Sequence, residues 1–267
     1  MHTGEAHLPQ LRDGAGECIH QLSEARLRKD LFQQAHPGVY YLCNQGLGGQ
    51  DAYHAAPIYF GHGLSQYGGY VDEAGNAYMD TAEALAAAEW IAAMRAYGPA
   101  ETSHPICRDM LINGEAAIWW TGPWAIADLQ EAGMDYGIEP MGVPFAGVKE
   151  YMLTANAAGR GTDDAAVSFM QYLGSAEVQV RLALANRTIP ANTAALHDPD
   201  VQALYEVAQF GAALNLGIPM ANHVYGVCQW GPVGDATLAI WNGTQTPQEA
   251  MGAAQAAIEA CVAGIGP

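Results

Sequence analysis

From Asn113 to Ile126 the chain reads NGEAAIWWTGPWAI, and the fold class turns on this stretch. Ala116 to Trp120 (AAIWW) has the length and apolarity of a buried strand, and a helix over 105–113 with Gly114 at its stop precedes it. Thr121-Gly122-Pro123 then opens a second helix, because proline is favoured at the first helical position, where its missing N–H costs nothing. Helix, strand and helix in succession are the repeating unit of an α/β domain. Trp119, Trp120 and Trp124 cluster around the strand-to-helix turn. A first-turn residue after a strand lies at the carboxyl end of its sheet, the edge where open α/β sheets bind ligands. Trp124 and the neighbouring Trp120 are therefore candidate ligand contacts, with core packing as the plainer reading of any one indole.

Outward from this stretch the alternation continues. Upstream, Gly38 to Cys43 (GVYYLC) is rich in β-formers and reads as a strand. A helix is predicted over 16–35 from Ile19, Leu22, Leu27 and Leu31, stopped by Pro37-Gly38, and its basic cluster Arg26, Arg28 and Lys29 reads as a solvated face. A further helix starts at Asp80, where Asp80 and Glu83 have capping-box spacing, and Ala87, Trp90, Ile91 and Met94 form its stripe before Gly98-Pro99. Downstream, Tyr136 to Glu139 and Tyr151 to Ala155 read as strands, and helices follow over 163–173, 175–185 and 199–213. Ala166, Phe169, Met170 and Leu173 mark one apolar stripe, and Val201, Leu204, Tyr205 and Ala208 another. In the final helix Thr246, Pro247 and Glu249 combine an N-cap, a first-turn proline and a capping box, with Ala254, Ala257, Ile258 and Cys261 as the stripe.

The 267 residues fit one large domain or two small ones. Ten Lys and Arg against 28 Asp and Glu leave a net charge of −18, which repels phosphate backbones and anionic lipid, so nucleic acid is excluded as a partner. No apolar run approaches the roughly 18 residues that span a bilayer. Met1 to Gln10 lacks the basic start and apolar stretch of a signal peptide, so as written the chain reads as soluble, cytoplasmic and without an export address. The five cysteines, Cys18, Cys43, Cys107, Cys228 and Cys261, form no CxxC pair. Neither a zinc ribbon nor a dense disulfide framework is indicated, and an odd count leaves one thiol free unless it pairs between chains.

Catalytic patterns are lacking. The sequence has no H-E-x-x-H, no G-x-S-x-G elbow and no P-loop ending in Gly-Lys-Ser/Thr. Gly159-Arg160-Gly161 is followed by Asp164 rather than glycine, which fits a turn before a helix better than a dinucleotide fingerprint. The nine histidines never fall at i, i+4 beside a carboxylate, so no metal site is read, and no cofactor is implied. Aromatic residues are the better lead: besides Trp124, Trp230 stands beside Gly231-Pro232 at the mouth of another helix.

The segment 113–126 resembles the NGE-x-A-x-x-x-x-GPWA segment of the carbohydrate-binding proteins of ABC importers, the maltose-binding-protein type. Further pieces resemble that family in order: Pro57-Ile58-Tyr59 with Gly68-Gly69, Tyr136-Gly137-Ile138 followed by Pro144, and Ala165 to Leu173 with Ser175-Ala176-Glu177. Ile189-Pro190-Ala191, Trp230 to Gly243, and Thr246 to Ala250 complete the set. The resemblance covers about residues 36–262. It implies an α/β, type II periplasmic-binding-protein-like fold consisting mainly of the C-terminal lobe, with an incomplete N-terminal lobe. The implied division is an unassigned segment 1–35 with one helix, a C-terminal lobe at 36–151 and 216–267, and a returning part of the N-terminal lobe at 152–215.

The same resemblance implies aromatic platforms for sugar rings at Trp124 and Trp230, with Tyr59 as a displaced third because Ile58 holds the matching spot. Asp128 and Asp235 are acceptors within the same segments, with surface solvation as the plainer reading. The implied function is non-enzymatic binding of a sugar or oligosaccharide for delivery to ABC permease subunits, extracellular or periplasmic by family. Alternatives are a ligand-free remnant that self-associates through its incomplete lobe, or a binder of polyamines. A glycoside hydrolase, third in order, needs two carboxylates about 5 to 10 Å apart across one cleft.

Overall fold

In a computed structural model, residues 28–266 are described. In chain order they form α1 (28–35), β1 (Tyr40–Asn44), α2 (Ala56–Gly61), α3 (Ala82–Met94), α4 (His104–Ile112), β2 (Ala116–Trp120) and α5 (Ile126–Glu131). Then follow β3 (Phe145–Ala146), α6 (Ala155–Gly159), α7 (Asp163–Leu173), α8 (Ala176–Asn186), α9 (Thr193–Leu196), α10 (Pro199–Gln202) and α11 (Tyr205–Leu216). β4 (Ile218–Pro219), α12 (Trp230–Asn242) and α13 (Pro247–Ile265) close the chain. The part of the expected first helix at 16–27 lies outside the described residues.

β1 and β2 pair in parallel, with Leu42 opposite Ile118 and Asn44 opposite Trp120, so both strands deliver their carboxyl ends to the same edge. Side chains alternate across a strand, and the two faces of the pair enter different clusters. Leu42 and Trp120 join the main core with α2, α3, α12 and α13, while Cys43 and Trp119 join a smaller cluster with Cys107, Leu111 and Leu129 of α4 and α5. The predicted α/β arrangement, a sheet covered by helices, is thus realised around two strands. In the main core the indole of Trp241 lies against Gly98, whose Cβ would sit 2.6 Å from the ring, and its Nε1 donates to Pro99 O at 3.0 Å. Only glycine admits that approach.

Two disulfides, Cys43–Cys107 and Cys228–Cys261, clamp α4 to β1 and α13 to the turn before α12. Cys18 lies outside the described residues.

The second parallel pair, β3 with β4, joins Phe145 to Ile218 and Ala146 to Pro219. The chain leaves through β3 and returns through β4, so residues 147–217 are an excursion from the main body. A polar strap ties it back: Glu206 of α11 accepts from Gln130 Nε2 and Tyr136 OH, and Tyr205 OH accepts from Ile138 N. Its one buried hydrophobic cluster among the described residues is small, formed around Ala183, Val201, Leu204 and Val207.

Several expectations need correction. Tyr136–Glu139 and Tyr151–Ala155 are not strands; among the described residues neither segment pairs with a strand, the Ile138 N–H is taken by a tyrosine hydroxyl, and Ala155 begins α6. The predicted helix over 199–213 is two helices, α10 and α11, divided where Leu204 is extended. The cap of α3 is Thr81, which accepts from Ala84 N, rather than Asp80. Lys29 is buried rather than solvated, its ammonium 3.8 Å from the Tyr97 ring centre. The stripe on α13 is Ala250, Met251, Ala254 and Ile258, with Ala257 exposed, and α7 buries no residue. The stripes at Ala87 to Met94 and the capping box at Thr246 are as expected.

Candidate functional site

The turn after β2 builds the site. Gly122 is extended, and Pro123–Ala125 makes one turn of 3-10 helix leading into α5, which sets Trp124 on the carboxyl edge of the β1–β2 pair. A Cβ on Gly122 would stand 2.3 Å from the Trp124 ring, so the indole lies across this glycine. Trp124 is 43% exposed, a large share for a residue held by the fold. Tyr53 meets it edge-on at 6.1 Å, and His54 lies 5.5 Å away.

Polar groups gather on the indole N–H side. Gln45, next after β1, receives Thr121 Oγ1 at 2.5 Å and Trp124 Nε1 at 3.4 Å on its Oε1. His104, the first residue of α4, places Nδ1 at 3.3 Å from the same oxygen and Nε2 at 3.0 Å from Asp128 Oδ2. Its ring stands against Trp119 at 4.9 Å. A flat apolar face with hydrogen-bonding groups at its border suits a sugar ring, which has an apolar face and a rim of hydroxyls.

The other expected contacts are placed differently. Trp230 begins α12 and is half-buried, resting on Phe145 at 5.7 Å. The side-chain amide of Gln229 before it is buried and finds no hydrogen-bond partner among the described residues. Tyr59 is fully buried, bonded to Thr237 Oγ1 at 3.1 Å and edge-on to Tyr70, and burial pushes its hydroxyl pKa up. Trp120 is buried against Trp90. Neither Tyr59 nor Trp120 offers an open face in this conformation; both are packed in the main core. Asp128 faces His104, whereas Asp235 is exposed on α12. No ring contact joins the Trp124 group to Trp230 among the described residues. The platform is an open edge.

Tyr53, His54, Gln45 and His104 escaped the sequence reading. Gln45 and Tyr53 lie over 70 residues before Trp124, and only the parallel pairing of β1 with β2 brings them to its side. The aromatic pair Tyr53-His54 ahead of Pro57 was the available signal. Among the described residues no group of three or more metal-ligating side chains is assembled, and no helix is long and apolar enough to cross a membrane.

The fold agrees with the chain's relatives. It belongs to the bacterial extracellular solute-binding proteins, whose family profile matches residues 28–209. A maltotriose-binding protein of Pyrococcus abyssi (strain GE5 / Orsay) is 29% identical over 150 residues, 52% of this chain and 30% of that protein's length. Among solved structures, the maltose/maltodextrin-binding domain MalE from Bdellovibrio bacteriovorus bound to maltotriose superposes with a TM-score of 0.75 at 20% identity, over 97% of this chain and 68% of that one. The maltose-maltodextrin binding protein of the thermoacidophilic bacterium Alicyclobacillus acidocaldarius gives 0.70 at 20% identity, over 82% and 62%. The fold is accordingly that of the maltose-binding proteins, the type II periplasmic-binding architecture.

Proposed function

We propose that this chain binds a sugar of the malto-oligosaccharide class on the Trp124 edge, without reacting with it, as the solute-binding component of an ABC importer. The observation that carries the reading is the half-open Trp124 indole on the shared carboxyl edge of β1 and β2, walled by Tyr53 and bordered by Gln45. The names of the relatives, which bind maltotriose or maltodextrin, support the ligand class. Trp230 serves as a second, partly covered stacking surface. The lobes follow the division at 36–151 with 216–267 and at 152–215, and the β3–β4 pair is their junction. Delivery to permease subunits, and an extracellular or periplasmic location, complete the proposal. Two disulfides support that location, because they persist in oxidising compartments.

Calorimetric titration with maltotriose, maltose and, as a cationic control, spermidine tests the reading. Maltotriose is expected to bind, and Trp124→Ala to weaken it at least tenfold, about 1.4 kcal/mol. Equal binding by wild type and Trp124→Ala contradicts the platform, and binding of spermidine alone favours the polyamine alternative.

One observation favours a second reading, association through the excursion. Met152 is 80% exposed, and Tyr151, Phe169 and Tyr172 of the same excursion are exposed as well, large apolar side chains of the kind that mark interaction sites. Light scattering behind size exclusion separates the two: a monomer that binds maltotriose supports the first, and a dimer that ignores it the second.

A further inference from the structure

The polar border of Trp124 carries an inference that deepens the sugar-binding reading and rests on it. An indole N–H can only donate, so the Gln45 atom facing Trp124 Nε1 is the carbonyl oxygen. Thr121 Oγ1 donates to the same oxygen, and His104 Nδ1 approaches it as well. With its oxygen engaged by these groups, the side chain has only its Nε2 hydrogens left to offer. Among the described residues no protein group takes them, and Gln45 is half-exposed.

His104 stands between two acceptors. Its Nδ1 faces Gln45 Oε1 and its Nε2 faces the Asp128 carboxylate. A neutral imidazole donates through one nitrogen only, so both bonds form together only when the ring carries both protons. Without the proton on Nδ1, two lone pairs face each other and the hold on the Gln45 amide from that side is lost. The charged groups around the pair are Asp128 itself, Arg108 one turn along α4, and Asp109 and Glu131, whose fields reach Arg108; Trp119 packs on the ring from β2.

We propose that Gln45 is the specificity-determining polar residue of the Trp124 platform, donating through Nε2 to a hydroxyl or ring oxygen of the stacked sugar, and that His104, braced by Asp128, is the positioning residue that holds it there. A ligand without an acceptor beside its apolar face gains nothing from Gln45.

The test is maltotriose titration of the full chain, read by calorimetry and by tryptophan fluorescence. Gln45→Leu and the near-isosteric Gln45→Glu, both lacking the amide donor, are expected to lose tenfold or more in affinity, with far-UV circular dichroism unchanged. His104→Ala is expected to weaken binding in the wild-type background and to cost nothing further on top of Gln45→Leu, because it acts through Gln45. If either folded Gln45 variant binds as wild type does, or His104→Ala weakens binding equally in both backgrounds, the inference is overturned. Failure of the underlying reading looks different: there wild type binds no maltotriose, or Trp124→Ala binds as well as wild type.

Discussion

Helices α3 and α7 were marked by apolar stripes of the same spacing, yet one is in the core and the other is not. On α3, Ala87, Trp90, Ile91 and Met94 are buried against α2, α12 and α13. On α7, Phe169 remains 57% exposed and no residue is buried. The difference lies in what surrounds each helix rather than in the helices themselves. The main body wraps α3 on several sides, whereas the excursion between β3 and β4 holds one small cluster and leaves the face of α7 open. Periodicity states which side of a helix can be covered; it says nothing about what covers it.

Truncation should expose this contrast most strongly. Trp241→Ala, in the main core, is expected to cost about 3–5 kcal/mol, while Phe169→Ala is expected to stay within about 0.5 kcal/mol; urea unfolding of the two variants measures both. Equal losses would mean that the excursion has a core of its own. Next come the disulfides. Replacing Cys261 or Cys107 by serine is expected to cost about 2–4 kcal/mol by thermal or urea unfolding. Only Cys107→Ser should also weaken maltotriose binding, because Cys43–Cys107 seats α4, and with it His104, beside Gln45.

Smaller effects sharpen the picture at the borders of the main body. Thr246→Ala removes the capping box of α13 and is expected to cost about 1 kcal/mol in a thermal melt. At the turn before α3, Asp72 accepts from Ala74 N, Asn76 N, Asn76 Nδ2 and Tyr78 OH. Partial burial pulls its pKa upward, but these bonds outweigh that and hold it at about 2. Because the folded value lies below the unfolded one of about 3.9, the stabilisation is present above about pH 4 and disappears as pH falls toward 2. Asp72→Asn is expected to flatten that last part of the acid-unfolding curve by a modest amount, since the turn is near solvent.

The parts of the fold that were legible in the sequence are those encoded locally. β2 occupies Ala116–Trp120, the proline turn follows it, and Thr246 caps α13, because each depends on residues within a turn of one another. The strands expected at 136–139 and 151–155 failed for the opposite reason: a strand exists only with a partner, and a run of β-formers does not reveal one. Cysteine pairing was closed to sequence for the same reason, as five cysteines permit many connectivities. At the candidate site, Trp124 was legible through its place after a strand. Gln45, Tyr53 and His104 were not, because polar residues in loops bear no periodic signal and reach the indole only through β1–β2 pairing. Tyr59, which the resemblance implies as a displaced platform, is buried in the main core against Thr237 and Tyr70 instead.

Hydrogen exchange with and without maltotriose tests the central claim most directly. The account predicts slow exchange in α3, α12 and α13, faster exchange in α7 and α8, and added protection on binding centred on 45–54 and 121–126, with a smaller gain around Trp230. Protection gained only within 163–186, or none anywhere at saturating sugar, would contradict it.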